Sequence, residues 1–267
     1  MEPRIVPDTL ATTLQPGTAT GHPTVLVVHG GGGPATVAPL AARYAEDRLV
    51  LTPTLPGWNG TPRPDAVDGI PALAHGYLDA LAARGLSGVA VIGSSLGGWI
   101  ALEMAAAAAA DERYEGILSG IVVIDGTGIT VESEPIADFF ALDARGLAEA
   151  AWFDPERGYL DPASLSPQQL AARQANQRTM RALAGDPYMH DPTLRERLGR
   201  IAVPVLVVWG EADRIVTPAY GRAMAAGIPD AEFALVERAG HLPQLENPEG
   251  LFARLDPFVS GLDGHAE

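Results

Sequence analysis

Val91-Ile92-Gly93-Ser94-Ser95-Leu96-Gly97-Gly98 joins an apolar, β-branched run to a helix-forming stretch, Trp99–Ala110, through a G-x-S-x-G pattern. A turn this tight between strand and helix holds its central residue in a strained backbone, and only small residues two positions before and after it let strand and helix approach. Ser95 has Gly93 and Gly97 in those places, whereas Ser94 would have Ile92 and Leu96. Ser95 is therefore the candidate nucleophile, presented at the end of a strand.

Outward from this turn, short apolar runs recur at Val25–Val28, Leu49–Leu51, Val89–Ile92, Ile121–Ile124, Val205–Val208 and Phe233–Val236, separated by segments of helical composition. Runs apolar on both faces are what strands covered by helices on both sides look like, so the spacing predicts a doubly wound, mostly parallel α/β sheet. About 80 residues separate the Ile121–Ile124 and Val205–Val208 runs, far more than one crossover helix requires. An insertion is expected there. Residues 129–199 are read as a helical cap, with residues 1–128 and 200–267 as the core domain. Within the cap Ser166–Leu183 has helical composition, and the Asp-Pro pairs at 154, 161, 186 and 191 predict turns or helix starts. Open α/β sheets bind their ligands at the carboxyl edge, which such a cap would cover.

Composition removes several classes of function. Cysteine is absent, which excludes disulfides, thiolate metal sites and cysteine nucleophiles. A net charge of −15, with 18 arginines and no lysine, argues against nucleic acid as a partner and mildly against strongly anionic substrates. Met1–Thr24 has no basic start followed by an apolar stretch, so a cytoplasmic location is expected. Trp99–Ala110 is interrupted by Glu103 and falls short of the ~20 apolar residues of a membrane span. The expected partner is a small molecule, with no membrane and no metal or other cofactor.

A serine hydroxyl needs a base, and the base an orienting acid. Among the histidines, His22 and His265 fall in tails, His75 on a helix, His190 in the cap, and His29 opens a glycine run. Only His241, in Ala239-Gly240-His241-Leu242-Pro243, follows a late strand on a loop able to reach Ser95. Asp213, in Val208-Trp209-Gly210-Glu211-Ala212-Asp213-Arg214, follows a strand and precedes the histidine; Asp125, in Ile124-Asp125-Gly126, opens at the same edge and is its rival. The developing oxyanion needs two N–H donors. His29-Gly30-Gly31-Gly32-Gly33-Pro34 supplies a backbone of close approach, with Gly31 the first choice and Gly32 the second, and the Leu96 N–H is the expected other donor. A phosphate-binding P-loop would require Gly-Lys-Ser/Thr, and the chain has no lysine.

With these motifs, together with Pro204–Asp213, Gly240-His241-Leu242-Pro243 and Glu246-Asn247-Pro248-Glu249, the chain resembles the α/β-hydrolase superfamily over roughly residues 24–259. The resemblance is to its capped serine esterases and meta-cleavage-product hydrolases. It implies Ser95, Asp213 and His241 as the catalytic set and no cofactor. Carbon–carbon bond hydrolases of this group usually carry Asn before the nucleophile and Trp after the histidine, where this chain has Ser94 and Leu242. Epoxide hydrolases and haloalkane dehalogenases use Asp in place of Ser95. The expectation is cleavage of a carboxylic ester, lactone or thioester, with carbon–carbon hydrolysis or another cofactor-free reaction as the alternative. A non-catalytic receptor on the same fold would have no need of all three residues.

For the substrate pocket the cap offers Phe139, Phe140, Leu142, Trp152, Phe153, Tyr188 and Met189. An apolar and aromatic set of this kind suits the non-reacting part of a small, largely apolar substrate.

Overall fold

The computed structural model describes residues 23–263. His22, His265 and most of Met1–Thr24 lie outside the described residues. From the amino end, β1 (Thr24–Val28) leads through α1 (Ala38–Tyr44) to β2 (Leu49–Leu51), and α2 (Ile70–Ala83) leads to β3 (Val89–Ser94). Strand β3 passes directly into α3 (Leu96–Ala108), followed by β4 (Leu118–Ile124). Next come α4 (Ala144–Ala151), α5 (Pro155–Gly158), α6 (Pro167–Ala184), α7 (Leu194–Arg197) and β5 (Val205–Gly210). The chain then forms α8 (Pro218–Ala226), β6 (Glu232–Val236), α9 (Pro243–Glu246) and α10 (Pro248–Leu262).

The six strands form one sheet in the order β2-β1-β3-β4-β5-β6, every pair parallel. Both faces are covered: Val25 and Val27 of β1 enter one core while Leu26 and Val28 enter the other. That double burial is why the strands read as continuous apolar runs. Strand order reverses between β1 and β3, and the crevice outside their carboxyl ends is where a sheet of this kind takes its ligand. Val28 and Gly93 pair there, so the glycine run after β1 and Ser95 after β3 flank that crevice.

Between β4 and β5 the sequence does what its Asp-Pro pairs predict. Asp154 and Asp161 cap α5 and a short 3-10 turn, their side chains accepting from Glu156 N–H and Ala163 N–H. Asp186-Pro187 lies in the turn closed by the Gly185–Tyr188 bridge, and Asp191 accepts from Thr193 N–H. Helix α6 starts on a reciprocal capping box of Ser166 and Gln169. The segment is pinned to the sheet by backbone bonds of Gly128 to Met189 and Asp191, and by Arg197, which pairs with the buried Glu103 of α3 at 2.7 Å. Glu103 also accepts from Trp99 Nε1, so its charge is paired and hydrogen-bonded as a buried carboxylate must be. Among the described residues no helix is long and apolar enough to cross a membrane.

Candidate active site

Ser95 sits between β3 and α3 with φ 57° and ψ −118°, a backbone that non-glycine residues rarely adopt. The turn is feasible because a Cβ on Gly93 would fall on the Gly97 carbonyl, and one on Gly97 would fall on the Val28 carbonyl. Strain at this one residue lifts its hydroxyl above the sheet's carboxyl edge. Gly30 packs against it from β1: a Cβ there would come within 2.8 Å of Ser94 O and Ser95 Cβ.

Asp125, Asp213 and His241 follow β4, β5 and β6 respectively, so the edge of the parallel sheet gathers them. His241 Nε2 lies 2.9 Å from Ser95 Oγ, and its Nδ1 lies 2.7 Å from Asp213 Oδ2. Because a carboxylate only accepts, Nδ1 carries the hydrogen and Nε2 is left to accept from the serine hydroxyl. Asp213 is held in turn by Ile215 N–H and Val216 N–H on Oδ1, at 2.8 and 3.1 Å. The His241 loop is fixed on both sides of the ring: its own N–H donates to Ala151 O, and Gly240 N–H donates to Glu246.

Asp125 makes no hydrogen bond to His241. Its Oδ1 accepts from Gly210 N–H at 2.9 Å, and burial, followed by the charge of Asp213, pushes its carboxyl well above the usual carboxylate range. Asp125, Asp213 and His241 have donor atoms within 4.8 Å of one another, close enough for a metal ion. Both nitrogens of His241 are already engaged by Asp213 and Ser95, so the set has no free imidazole to offer an ion.

His29 turns out to have a definite task in the glycine run. Its Nδ1 donates to Gly30 O at 2.7 Å and its Nε2 accepts from Leu55 N–H at 3.0 Å. Gly30 O also accepts from Gly33 N–H. In a planar trans peptide the N–H points opposite to the carbonyl, so these bonds on Gly30 O fix the direction of the Gly31 N–H. Trp58 Nε1, donating to Gly31 O, fixes Gly32 N–H likewise. Neither Gly31 N–H nor Leu96 N–H donates to any acceptor among the described residues.

Burial pushes the His29 imidazole down from 6.5 to about 4. Between those values the unfolded chain holds a proton that the folded one does not, so stability falls as pH drops from 6.5 towards 4. By this linkage His29 should account for about 3 kcal/mol of acid destabilisation. His29→Asn keeps an amide donor near Gly30 O without a group that titrates in this window. Urea midpoints at pH 7 and pH 4.5 should therefore differ less for the variant than for the parent, and an equal difference would remove His29 as the cause.

Residues 25–255 match the model of the alpha/beta hydrolase family. The chain belongs to that family. A 2-hydroxy-6-oxononadienedioate/2-hydroxy-6-oxononatrienedioate hydrolase of Dechloromonas aromatica is 30% identical over 86% of this alpha/beta hydrolase and 84% of that protein. Lipase 1 of Psychrobacter immobilis is 26% identical over 86% of this chain and 74% of its own. Among solved structures, a putative lipase from Acinetobacter baumannii superposes with a TM-score of 0.75 at 21% identity, covering 93% of this chain and 87% of that one. Relatives of this alpha/beta hydrolase thus include a lipase and a hydrolase named for 2-hydroxy-6-oxononadienedioate and 2-hydroxy-6-oxononatrienedioate.

A cavity of about 360 Å³ opens over Ser95 and His241. Of the aromatic and apolar residues expected in it, Phe139, Trp152 and Met189 line its wall, but Phe140, Tyr188 and Phe153 stand back. Phe140 stacks on Phe139 with ring centroids 4.3 Å apart, and Tyr188 is drawn off by hydrogen bonds to Ala137 O and Phe139 N–H. Phe153 and Leu142 are exposed. Helix α6 contributes what the sequence did not signal: Arg173, Asn176, Gln177 and Met180, the last lying over Gly31. Thr127, just past Asp125, adds a buried hydroxyl with no partner among the described residues.

Glu246 was likewise invisible in the sequence as a site residue. Its carboxylate accepts from Gly240 N–H beside His241 and from Phe153 N–H and Asp154 N–H, so it ties the His241 loop to the segment after α4.

Proposed function

We propose that this alpha/beta hydrolase is a cofactor-free serine hydrolase that cleaves a carboxylic ester, lactone or thioester of a small, largely apolar substrate through an acyl-enzyme on Ser95. The observation that carries the reading is the hydrogen-bonded line from Ser95 Oγ through His241 to Asp213, opening on a mostly apolar cavity. His241 Nε2 takes the Ser95 proton as Oγ attacks the carbonyl, and Asp213 holds the ring and offsets the imidazolium charge. The oxyanion is held by the N–H groups of Gly31 and Leu96, the latter at the positive end of α3. His241 returns the proton to the leaving group. Water, activated by the same imidazole, then releases the acid. Residues 129–199 act as the cap that encloses the non-reacting part of the substrate.

A neutral aryl-alkyl phosphonate tests this directly. The adduct is expected on the peptide that carries Ser95; a label on Ser94, or full turnover with no label, would sink the assignment.

Arg173 favours a second reading, carbon–carbon bond hydrolysis of an acidic substrate. It lines the cavity, is exposed, and has no carboxylate partner among the described residues. The Dechloromonas relative is named for a dicarboxylate. Ser94 and Leu242, at positions where carbon–carbon hydrolases of the group usually carry Asn and Trp, weigh against it. Steady-state kinetics on matched neutral and carboxylated esters separate the two. The neutral member should have the higher kcat/KM, and the opposite ranking transfers the preference to the second reading.

A further inference from the structure

We infer that Asp125 is a neutral carboxylic acid whose hydroxyl hydrogen is donated to the Asp213 carboxylate, which makes it a positioning residue for the Ser95–His241–Asp213 line; its catalytic meaning rests on the hydrolase reading above. Asp125 is fully buried, and one carboxyl oxygen takes Gly210 N–H while the other, Oδ2, has no donor among the described residues. An ionised carboxylate left bare in this way is costly, but a carboxylic acid there needs only an acceptor. Asp213 is that acceptor: its carboxylate lies within 4.8 Å, and its charge is one of the causes that raise the Asp125 carboxyl. Its Oδ2 takes a single N–H, from His241 Nδ1, and keeps a lone pair free.

Two adjacent buried carboxylates cannot both ionise, so one proton is shared between them. Asp213 receives three N–H donors, from Ile215, Val216 and His241, against one for Asp125. The better-solvated anion is therefore Asp213, and the proton stays on Asp125, in line with its raised affinity for protons. The titratable groups that face Asp125 are Asp213 and His241 in the cluster and Glu246 beyond it.

The neutral state has a consequence for the base. A second negative charge beside His241 would stabilise the imidazolium and leave Nε2 protonated before it could accept from Ser95. As a neutral donor, Asp125 fixes the Asp213 carboxylate without adding that charge.

The test uses D125N, D125G and D213N in the full chain. Asparagine keeps both bonds, its oxygen for Gly210 N–H and its amide for Asp213; glycine removes them and suits the φ of 46°. Asn should keep kcat within ~10-fold of the parent on an aryl ester, and Gly should lower it by roughly 10- to 100-fold with KM unchanged, the range expected for losing a hydrogen bond to a charged group. A low-field proton NMR signal of His241 Nδ1–H should persist in D125N and shift in D125G. A fall in D125N as deep as that in D213N would mean that Asp125 works as an anion and would overturn the inference. So would D125N and D125G that match each other in kcat and in the NMR signal. The NMR arm needs no turnover, so it still decides the matter if no ester is hydrolysed and the hydrolase reading itself fails; if D125G does not fold, the depth of the D125N effect against D213N decides alone.

Discussion

Replacing Ser95 with alanine is expected to lower kcat on an aryl ester by on the order of 10⁵ to 10⁶, and His241→Ala by a similar factor. In the proposed mechanism the two act as one unit: the imidazole has nothing to deprotonate without Oγ, and Oγ is a weak nucleophile without the imidazole 2.9 Å away. Their effects should therefore not add, and the double variant should be about as slow as either single one. Ser95→Ala should fold normally, since alanine loses only the hydroxyl; thermal melts check this. Residual catalysis of roughly 10³ over water should remain from the N–H donors and the cavity. A Ser95→Ala protein with a tenth or more of parental kcat would remove Ser95 as nucleophile and leave the hydrogen-bonded line without its proposed use.

The fold was legible because its signals are local. All six strands lie where apolar runs appear in the sequence, since the four inner strands are buried on both faces, the edge strands β2 and β6 pack half-buried against both cores, and β-branched residues fill those cores. The turn at Ser95 was legible for a similar reason: Gly93 and Gly97 are demanded by backbone contacts within a few residues or across one strand. His241 and Asp213 could be ranked by their place after late strands, and they do stand in hydrogen-bond contact with each other and, through the imidazole, with Ser95.

The cavity was less legible, and α6 explains why. A helix that packs on a core shows an apolar stripe, but α6 buries only Met180, Leu183 and Ala184 near its carboxyl end. The rest faces solvent, the cavity and, through Asn176 and Thr179, the loop at Gly57 and Asn59; its polar residues Arg173, Asn176 and Gln177 look in sequence like an ordinary solvated helix. Aromatic residues depart in the other direction: Phe140 and Tyr188 pack on one another behind Phe139, as aromatic rings do when neighbouring rings are in reach. Glu246 and His29 act on backbone groups of other segments, Glu246 on an N–H 93 positions away and His29 on one 26 away. No local pattern encodes such a bond. Asp125 was recognisable as a rival acid, but its approach to within 4.8 Å of Asp213 depends on the pairing of β4 with β5.

Asp213→Asn is expected to lower kcat by about 10⁴ while leaving the fold intact, and the hydrogen bonds specify why. Oδ1 of Asp213 accepts two backbone N–H groups, from Ile215 and Val216, so in the variant the amide oxygen will take that side and the NH₂ will face His241. An NH₂ only donates, and Nδ1 must then become the acceptor. The hydrogen moves to Nε2, the atom facing Ser95 Oγ, and the imidazole can no longer take the serine proton. The loss is thus one of tautomer more than of position. KM should change little, because Asp213 is buried and does not line the cavity. Asp125, relieved of its charged neighbour, is held by the Gly210 N–H and makes no bond to the imidazole, so it should not restore the rate. A D213N enzyme within tenfold of the parent, beside a D125N enzyme slowed by ~10³ or more, would show that the carboxylate serving His241 comes from β4 and not from β5.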